Sequence, residues 1–196
     1  MMRYQVLHTV KLCPSFLEVD GSRVAEAGGE TCFLTDLYRR LGLDYPKFFK
    51  MDILSKVGFL ASEFLLEQEA GERFVPRDDR AVLLFNRYSS MHADQTFQET
   101  IAHPEDFYPK PSVFVYTLPN IVTGEIAIRN KYHGESNFIL LPEYSEQAIN
   151  QAIECAFLAP GTTSLLTGWL EALSGNDYNA SLSLITTNHQ SPTTDH

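Results

Sequence analysis

Three cysteines supply the side chains best suited to nucleophilic or redox chemistry. Cys13, Cys32 and Cys155 lie far apart, and the sequence contains no C-x-x-C pair. An odd number of isolated thiols fits neither a disulfide framework nor a zinc site. Cys155 falls in the middle of a predicted helix, among alanines and a phenylalanine, where a neutral thiol packs as a small apolar group. We therefore expect reduced cysteines and a structural role for Cys155.

Two histidines stand beside residues that could complete a nucleophilic site. His92 lies between Ser90 and Asp94, and His133 precedes a Gly-Glu-Ser stretch. The members of a catalytic triad meet through the fold rather than through local sequence, so this proximity favours surface or hinge roles. The Gly28-Gly29 pair lacks the context of a phosphate-binding loop. The local motifs thus predict no catalytic residue, no metal site and no cofactor.

The charge balance argues against several classes of partner. Fifteen Lys and Arg residues stand against 25 Asp and Glu residues, a net charge of −10. Such a chain repels phosphate backbones and anionic bilayers, so neither nucleic acid nor a membrane is expected as a partner. The N-terminal residues lack the apolar run of a signal peptide. The apolar charge-free run 155–170 is interrupted by Pro160 and Gly161 and is too short to span a bilayer. We expect a cytoplasmic protein.

The length and composition predict a single domain. The chain has 196 residues, of which 44% are hydrophobic. A chain of this size can bury roughly 70% of its unfolded surface in one core. The last residues, 188–196, carry no large apolar side chain. We expect one domain over residues 1–187 and a flexible tail at 188–196.

The hydrophobic pattern predicts strands that alternate with helices and end in a hairpin. The stretch 13–31 is expected to be a loop or hairpin, with Asp20-Gly21 between two short β-like pieces. A short extended piece begins at Ser112, and Gly134 is expected to stop the helix that follows Pro119. The predicted strands are 4–11, 81–85, 137–141, 164–172 and 180–187. The predicted helices are 35–42, capped by Thr35, then 52–70, 89–101, 119–131 and 145–157. The fold class is α/β, with a mixed sheet of about five strands and helices on both faces, because the AVLLF and NFILL runs need cover on both sides.

Four segments resemble, in family order, landmarks of the N-terminal half of β-ketoacyl-acyl-carrier-protein synthases. They fall within residues 48–185 and read FKMDILSKVGFLASEFLL, AVLLFNRYSSMHADQTF, PSVFVYTLPNIVTGEIAIRNKYHGE and SLLTGWLEAL. In that family a proline-initiated helix precedes the nucleophile strand and ends in a Gly-rich turn. The resemblance implies a thiolase-like fold, in which two βαβαβαββ halves pack back to back. This chain would correspond to one half and would stop where the second half begins.

The sequence departs from that family at the nucleophile. The family places a cysteine at the start of the helix after the nucleophile strand, where the helix dipole lowers the pKa of a thiol. Here the junction reads FILLPEYSEQA, and Glu143 stands within a residue or two of that position. A carboxylate there is stabilised by the dipole but is a poor acyl acceptor. The two family histidines belong to the other half. We expect the chain alone not to condense acyl thioesters.

Four further residues are candidates for a pocket or an interface. Asn120 and Glu125 lie on the helix that follows Pro119, and ordinary helix capping or a solvent-facing position would also account for both side chains. Ile149 and Ile153 belong to two apolar columns of the helix 145–157, whose small side chains allow close packing on more than one side. If a lone half leaves an apolar face uncovered, this helix is expected to lie nearest to it.

The resemblance implies an accessory protein rather than a complete enzyme. We expect a noncatalytic ketosynthase-like subunit in fatty-acid or polyketide-like biosynthesis, such as polyene assembly. Its expected partner is a ketosynthase, an acyl carrier protein or a second copy, in a homodimer or a ketosynthase-like heterodimer. Two alternatives stay open. The chain could be the N-terminal half of a split synthase, or an enzyme with non-thiol chemistry that uses Glu143.

Overall fold

Seven strands form one mixed sheet in the computed structural model, which describes residues 4–28 and 32–187. The strands are β1 (Tyr4–Cys13), β2 (Phe16–Val19), β3 (Ser22–Glu26), β4 (Arg80–Asn86), β5 (Ser136–Leu140), β6 (Ser164–Ser174) and β7 (Asp177–Thr187). Their order across the sheet is β3-β2-β1-β7-β6-β4-β5. The predicted tail 188–196 lies outside the described residues.

The strand directions define how the carboxyl ends meet. β4 runs parallel to both β5 and β6, whereas β7 is antiparallel to both β6 and β1. β1, β4, β5 and β6 therefore point the same way, and the predicted final hairpin is confirmed. Because β4 and β5 are parallel neighbours, the loops that follow them leave the same edge of the sheet.

The prediction of about five strands was too low. The two short β-like pieces around Asp20-Gly21 were not counted as strands of the sheet, but they are β2, which pairs with β1, and β3, which pairs with β2. Asp20 and Gly21 both have positive φ, 48° and 75°, as a tight type I′ hairpin requires. The turn chemistry was recognised; the short flanking strands extend the sheet by two.

Six α-helices cover the described sheet. They are α1 (Phe33–Arg40), α2 (Ile53–Glu67), α3 (Met91–Glu99), α4 (Pro111–Phe114), α5 (Ile121–Asn130) and α6 (Glu146–Leu158). Short 3-10 turns occupy Pro46–Lys50, Pro104–Asp106 and Val115–Thr117. None of the helices in the described ranges is long and apolar enough to cross a membrane.

The helices lie on both faces of the sheet, as predicted, and β4 is buried throughout. The NFILL run was expected to be covered in the same way, but β5 is an edge strand and is only partly buried. α2 is buried along nearly its whole length and packs with α1 and α5 in the larger core. Its pattern is apolar on most sides, which is typical of a helix enclosed by other elements. On the opposite face, α6 presents Ile153, Ala156 and Phe157 to Leu83, Phe85, Leu165 and Ile185 of the sheet.

Three helix boundaries differ from the expectations. The extended piece expected after Ser112 is helical, because Pro111 opens α4 and a 3-10 turn continues it. α1 begins after Cys32, which makes no side-chain cap, so Thr35 is not its N-cap. α5 ends at Lys131 in the left-handed conformation, before Gly134.

Gly134 has a packing role instead. A Cβ at this position would overlap the backbone carbonyl of Arg80 at the start of β4. The loop that leads from α5 into β5 therefore passes directly over β4, which only a residue without a side chain permits.

A charged network holds this same end of the sheet together. Arg80 is 1% exposed and binds both carboxylate oxygens of Glu69, at 2.5 and 2.6 Å. Its Nε donates to Ser164 Oγ at 3.0 Å, and its Nη1 donates to the Tyr132 hydroxyl at 3.1 Å. Arg77 bridges Glu69 and Asp79. The network joins the end of α2 to the first residues of β4 and β6.

The network predicts a dependence of stability on pH. Hydrogen bonds from Arg77 and Thr163 hold the pKa of Asp79 well below its usual range, against the opposing effect of burial. Because the pKa of Asp79 is lower in the folded state than in the unfolded state, its ionisation stabilises the fold at any pH above the unfolded-state pKa of about 4. This stabilisation is lost as the pH falls from there through the folded-state pKa. Asp79→Asn should therefore destabilise the protein at pH 6 and do so less at pH 3. Urea unfolding at pH 6 and at pH 3 measures the difference in free energy of unfolding between the original protein and the variant. A larger difference at pH 3 would contradict this assignment.

Candidate functional site

Glu143 lies in the loop between β5 and α6, where the sequence placed it. The loop is short, and Ser145 Oγ caps α6 by accepting a hydrogen bond from the Ala148 amide at 3.3 Å. Glu143 precedes this cap by two residues, and its side chain is exposed. Among the described residues, no histidine, cysteine or lysine is hydrogen-bonded to it. The arrangement offers a solvated carboxylate near a helix N-terminus.

The neighbouring loop, which follows β4, is fixed by buried polar groups. The Asn86 amide donates to the Ser89 carbonyl at 2.8 Å and accepts from its N–H at 3.0 Å. The Glu171 carboxylate, on β6, accepts from the backbone N–H groups of Arg87 and Tyr88 at 3.0 and 3.2 Å. Burial raises the pKa of Glu171, although these N–H donors oppose the shift. The loop is therefore held in one geometry above the carboxyl ends of the strands.

A pocket of about 560 Å³ opens between the start of α2 and the pair α3 and α4. Its wall is mostly apolar, with Met51, Ala93, Val113 and Tyr116, and its lining also includes His92. Asp52 caps α2 by accepting from the amides of Leu54 and Ser55 at 3.3 and 3.0 Å. Burial raises the pKa of Asp52, while its cap hydrogen bonds and His92 act in the opposite direction. We call this space the α2–α4 pocket.

An apolar ridge lies beside that pocket. Large apolar side chains in and around α4 are exposed to solvent, namely Phe107, Tyr108, Phe114, Val115 and Leu118. The Phe114 ring also packs against Phe97 of α3 with centroids 5.2 Å apart. Surfaces of this kind mark contacts with other proteins or with apolar ligands. The sequence assignment missed it because the residues of α4 were expected to form a short extended piece.

Asn120 and Glu125 are placed differently on α5. Asn120 is exposed at the start of the helix, and its carbonyl accepts from the Thr123 hydroxyl at 2.8 Å. Glu125 is 4% exposed and pairs with Lys47 Nζ at 2.6 Å and with the Tyr45 hydroxyl at 3.3 Å. The hydrogen bond to Glu125 is the main cause that raises the pKa of Lys47. Glu125 therefore anchors the turn before α2 within this chain.

Ile149 and Ile153 lie on the face of α6 that packs on the sheet. Ile153 is buried and Ile149 is partly buried in the same cluster. The face of α6 that points away from the sheet carries the exposed Gln147 and Gln151, with Cys155 and Leu158 further along the helix. The apolar columns are thus used inside the chain, and the first turns of the outward face are polar.

The remaining thiols and histidines do not converge. Cys155, which was expected to be buried, is exposed on α6 because it lies off the face that contacts the sheet. His133 pairs with Asp78 at 2.9 Å, at the end of the sheet opposite Glu143, whereas His92 lines the α2–α4 pocket. In the described ranges, no group of three or more His, Cys, Asp or Glu residues could hold a metal ion.

An exposed sheet edge is a further feature that the sequence assignment did not single out. β5 pairs with β4 along one side, and no other strand of the described residues pairs with its second side, the free edge. It contains no charged residue or proline, whereas the opposite edge strand, β3, carries Arg23 and Glu26. Charges and short irregular strands protect edges against pairing, so β5 is the less protected of the two.

Comparison with known proteins identifies the fold. No protein-family model matches the sequence, and no curated protein matches it. Among solved structures, the ishigamide ketosynthase/chain length factor is similar with a TM-score of 0.73 and 17% identity, over 96% of this chain and 63% of that chain. A ketosynthase in complex with its chain length factor from Xenorhabdus doucetiae has a TM-score of 0.66 and 12% identity. The match covers 95% of this chain and 80% of that chain.

A third similar structure is a type II polyketide acyl-carrier protein in complex with its ketosynthase bound to the hexaketide. Its TM-score is 0.59 and its identity 15%, over 96% of this chain and 63% of that chain. The present chain thus spans less than two thirds of the length of the matched chain in two of these three structures. Together with the strand order, the comparisons define the fold as one thiolase-like half, which confirms the resemblance at the level of the fold.

Proposed function

We propose that this protein is a noncatalytic ketosynthase-like subunit that binds a ketosynthase. The observation that carries the proposal is the combination of a thiolase-like half with a solvated Glu143 where a nucleophilic cysteine would be expected. Thiolate chemistry needs a thiol whose pKa is lowered by its surroundings, and no cysteine lies at the start of α6. A role in polyketide-like or fatty-acid biosynthesis, with an acyl carrier protein as a further partner, belongs to the same proposal.

The likeness to ketosynthase and chain length factor structures supports a heterodimer over an isolated chain. The free edge of β5 and the apolar ridge offer the surfaces for it. Edge strands pair with a second chain through their backbone N–H and carbonyl groups. The apolar ridge would be removed from water when a partner covers it, which favours binding.

The outward face of α6 argues against the split-synthase alternative. A separate second half would have to cover surface that this chain leaves open, and a helix enclosed between two halves would be apolar on both sides. Gln147 and Gln151 of α6 instead face solvent. The alternative chemistry through Glu143 lacks a converging acid, base or cation among the described residues.

Co-expression with a ketosynthase from the same organism tests the proposal. Light scattering should detect a stable complex, whereas the chain alone, incubated with labelled acyl and malonyl carrier protein, should give neither a condensed product nor an acylated protein. Cys32→Ser and Cys155→Ser variants control for adventitious labelling of the exposed thiols. Condensation by the isolated chain, or a ketosynthase that never binds it at micromolar concentration, would refute the proposal.

A further inference from the structure

A second groove lies on the α6 face of the sheet, away from the surfaces assigned above. It has a volume of about 240 Å³ and runs along α6, beside a part of β1, β6 and β7 that no helix of residues 4–28 and 32–187 covers. Its aromatic lining consists of Tyr4, Tyr144 and Trp169, and the rings of Tyr144 and Trp169 meet edge to face at 5.5 Å. We call it the aromatic groove.

The groove is negatively charged. Glu146 lines it, and none of the described residues in its lining is a lysine, an arginine or a histidine. Burial, and after it the charges of Glu146 and Glu154, raise the pKa of Tyr4. Both carboxylates are therefore close enough to make the potential at the Tyr4 ring negative. Glu146 forms no ion pair with any described residue.

The floor of the groove contains a polar atom without a partner. Thr167 is 4% exposed, and its Oγ1 has no hydrogen-bond partner among the described residues. Nearby, the Asn150 Oδ1 accepts from the Tyr4 hydroxyl at 2.8 Å. A buried hydroxyl usually finds a partner, and the Thr167 hydroxyl can accept a hydrogen bond from a ligand that enters the groove.

We propose that the aromatic groove binds a guanidinium group, presented as an arginine side chain by a protein partner. Aromatic faces attract cations, and a planar guanidinium can stack on a ring while its N–H groups donate to a carboxylate and a hydroxyl. Here Tyr144 and Trp169 supply the faces, Glu146 the carboxylate and Thr167 the hydroxyl. The inference does not depend on the partner proposed above, because the groove and its charge belong to this chain alone.

The test uses the single tryptophan of the sequence as its reporter. In a ¹⁵N–¹H correlation spectrum, the indole N–H signal of Trp169 should shift saturably with Nα-acetyl-arginine amide and not with Nα-acetyl-citrulline amide, the neutral isostere. Glu146→Gln and Thr167→Val should each weaken binding about threefold or more, in line with the loss of a single exposed ion pair or a single hydrogen bond. Glu99→Gln, which removes an exposed carboxylate on α3, should leave binding unchanged.

Three outcomes would overturn the inference. Equal shifts with the citrulline amide would show that charge is not recognised. Unchanged affinity in Glu146→Gln would remove the carboxylate from the site. Tighter binding of free arginine than of its acetylated amide would point to a metabolite in place of a protein side chain. Because Glu146 is exposed, the variant should fold normally, and a failure of the ketosynthase experiment would not affect these results.

Discussion

Arg80→Met should lower the free energy of unfolding by about 3–5 kcal/mol, the usual cost of breaking a buried ion pair on one side. The guanidinium is 1% exposed and joins Glu69, Tyr132 and Ser164. Its removal leaves the Glu69 carboxylate with Arg77 as its remaining partner, in a site that is only partly open to water. Urea unfolding, followed by the fluorescence of Trp169, gives the difference directly.

Two controls distinguish the loss of the Arg80–Glu69 ion pair from a general effect of removing an arginine. Arg39→Met removes a largely exposed arginine, 3.6 Å from Asp36, and should change stability by less than about 1 kcal/mol. The double variant Arg80→Met with Glu69→Met should recover part of the loss, because apolar side chains can replace a buried pair at little cost. If the single and double variants are equally unstable, Arg80 acts through Tyr132 and Ser164 instead.

This network also shows what the sequence could not reveal. Glu69, Arg80, Tyr132 and Ser164 are separated by up to 95 positions, so no local pattern indicates that they meet. The elements that carry them were predictable, since the AVLLF run, the apolar spacing of α2 and the final hairpin each follow from composition and periodicity alone. Long-range polar contacts depend on the order of strands in the sheet, which those patterns leave open.

The errors at α4 and Cys155 have separate physical causes. The SVFVYT stretch is rich in β-formers, but Pro111 supplies a helix start and the following residues leave the sheet. Propensity is a weak preference that tertiary context overrides. For Cys155, periodicity gave the set of residues that share a face of α6 but not which face the sheet covers, and the thiol lies on the uncovered side.

The candidate site was predictable to a similar extent. Glu143 lies between a strand and a helix that the sequence located correctly, so its exposed place before α6 follows from the prediction. The burial of Glu125 against Lys47 does not, because the turn Pro46–Lys50 comes from a distant part of the chain. The α2–α4 pocket likewise needs α4 to exist as a helix, which the sequence pattern did not indicate.

The backbone of β5 sets up the largest expected effect on assembly. The Glu135 carbonyl accepts from Val82, and the Leu141 amide donates to Asn86. In a parallel pair, alternate residues face the neighbouring strand, so Asn137 and Ile139 share that direction. The N–H groups of Ser136, Phe138 and Leu140 therefore face the free edge, where a partner strand could pair with them.

Leu140→Pro should weaken the complex with the ketosynthase by at least about tenfold. Proline removes one outward N–H and places its ring where the partner strand would lie, and the hydrogen bonds with β4 remain because they use the alternate residues. Leu140 is 50% exposed, so the fold should tolerate the change. Leu140→Ala is the matched control, since it removes the same side chain but keeps the N–H, and it should bind within a few-fold of the original protein.

Titration calorimetry measures the three affinities, and urea unfolding checks that all three proteins are folded. Equal loss in both variants would assign the contact to the side chain, and no loss in Leu140→Pro would move the interface from the β5 edge to the apolar ridge, where Phe114→Asp should then abolish binding.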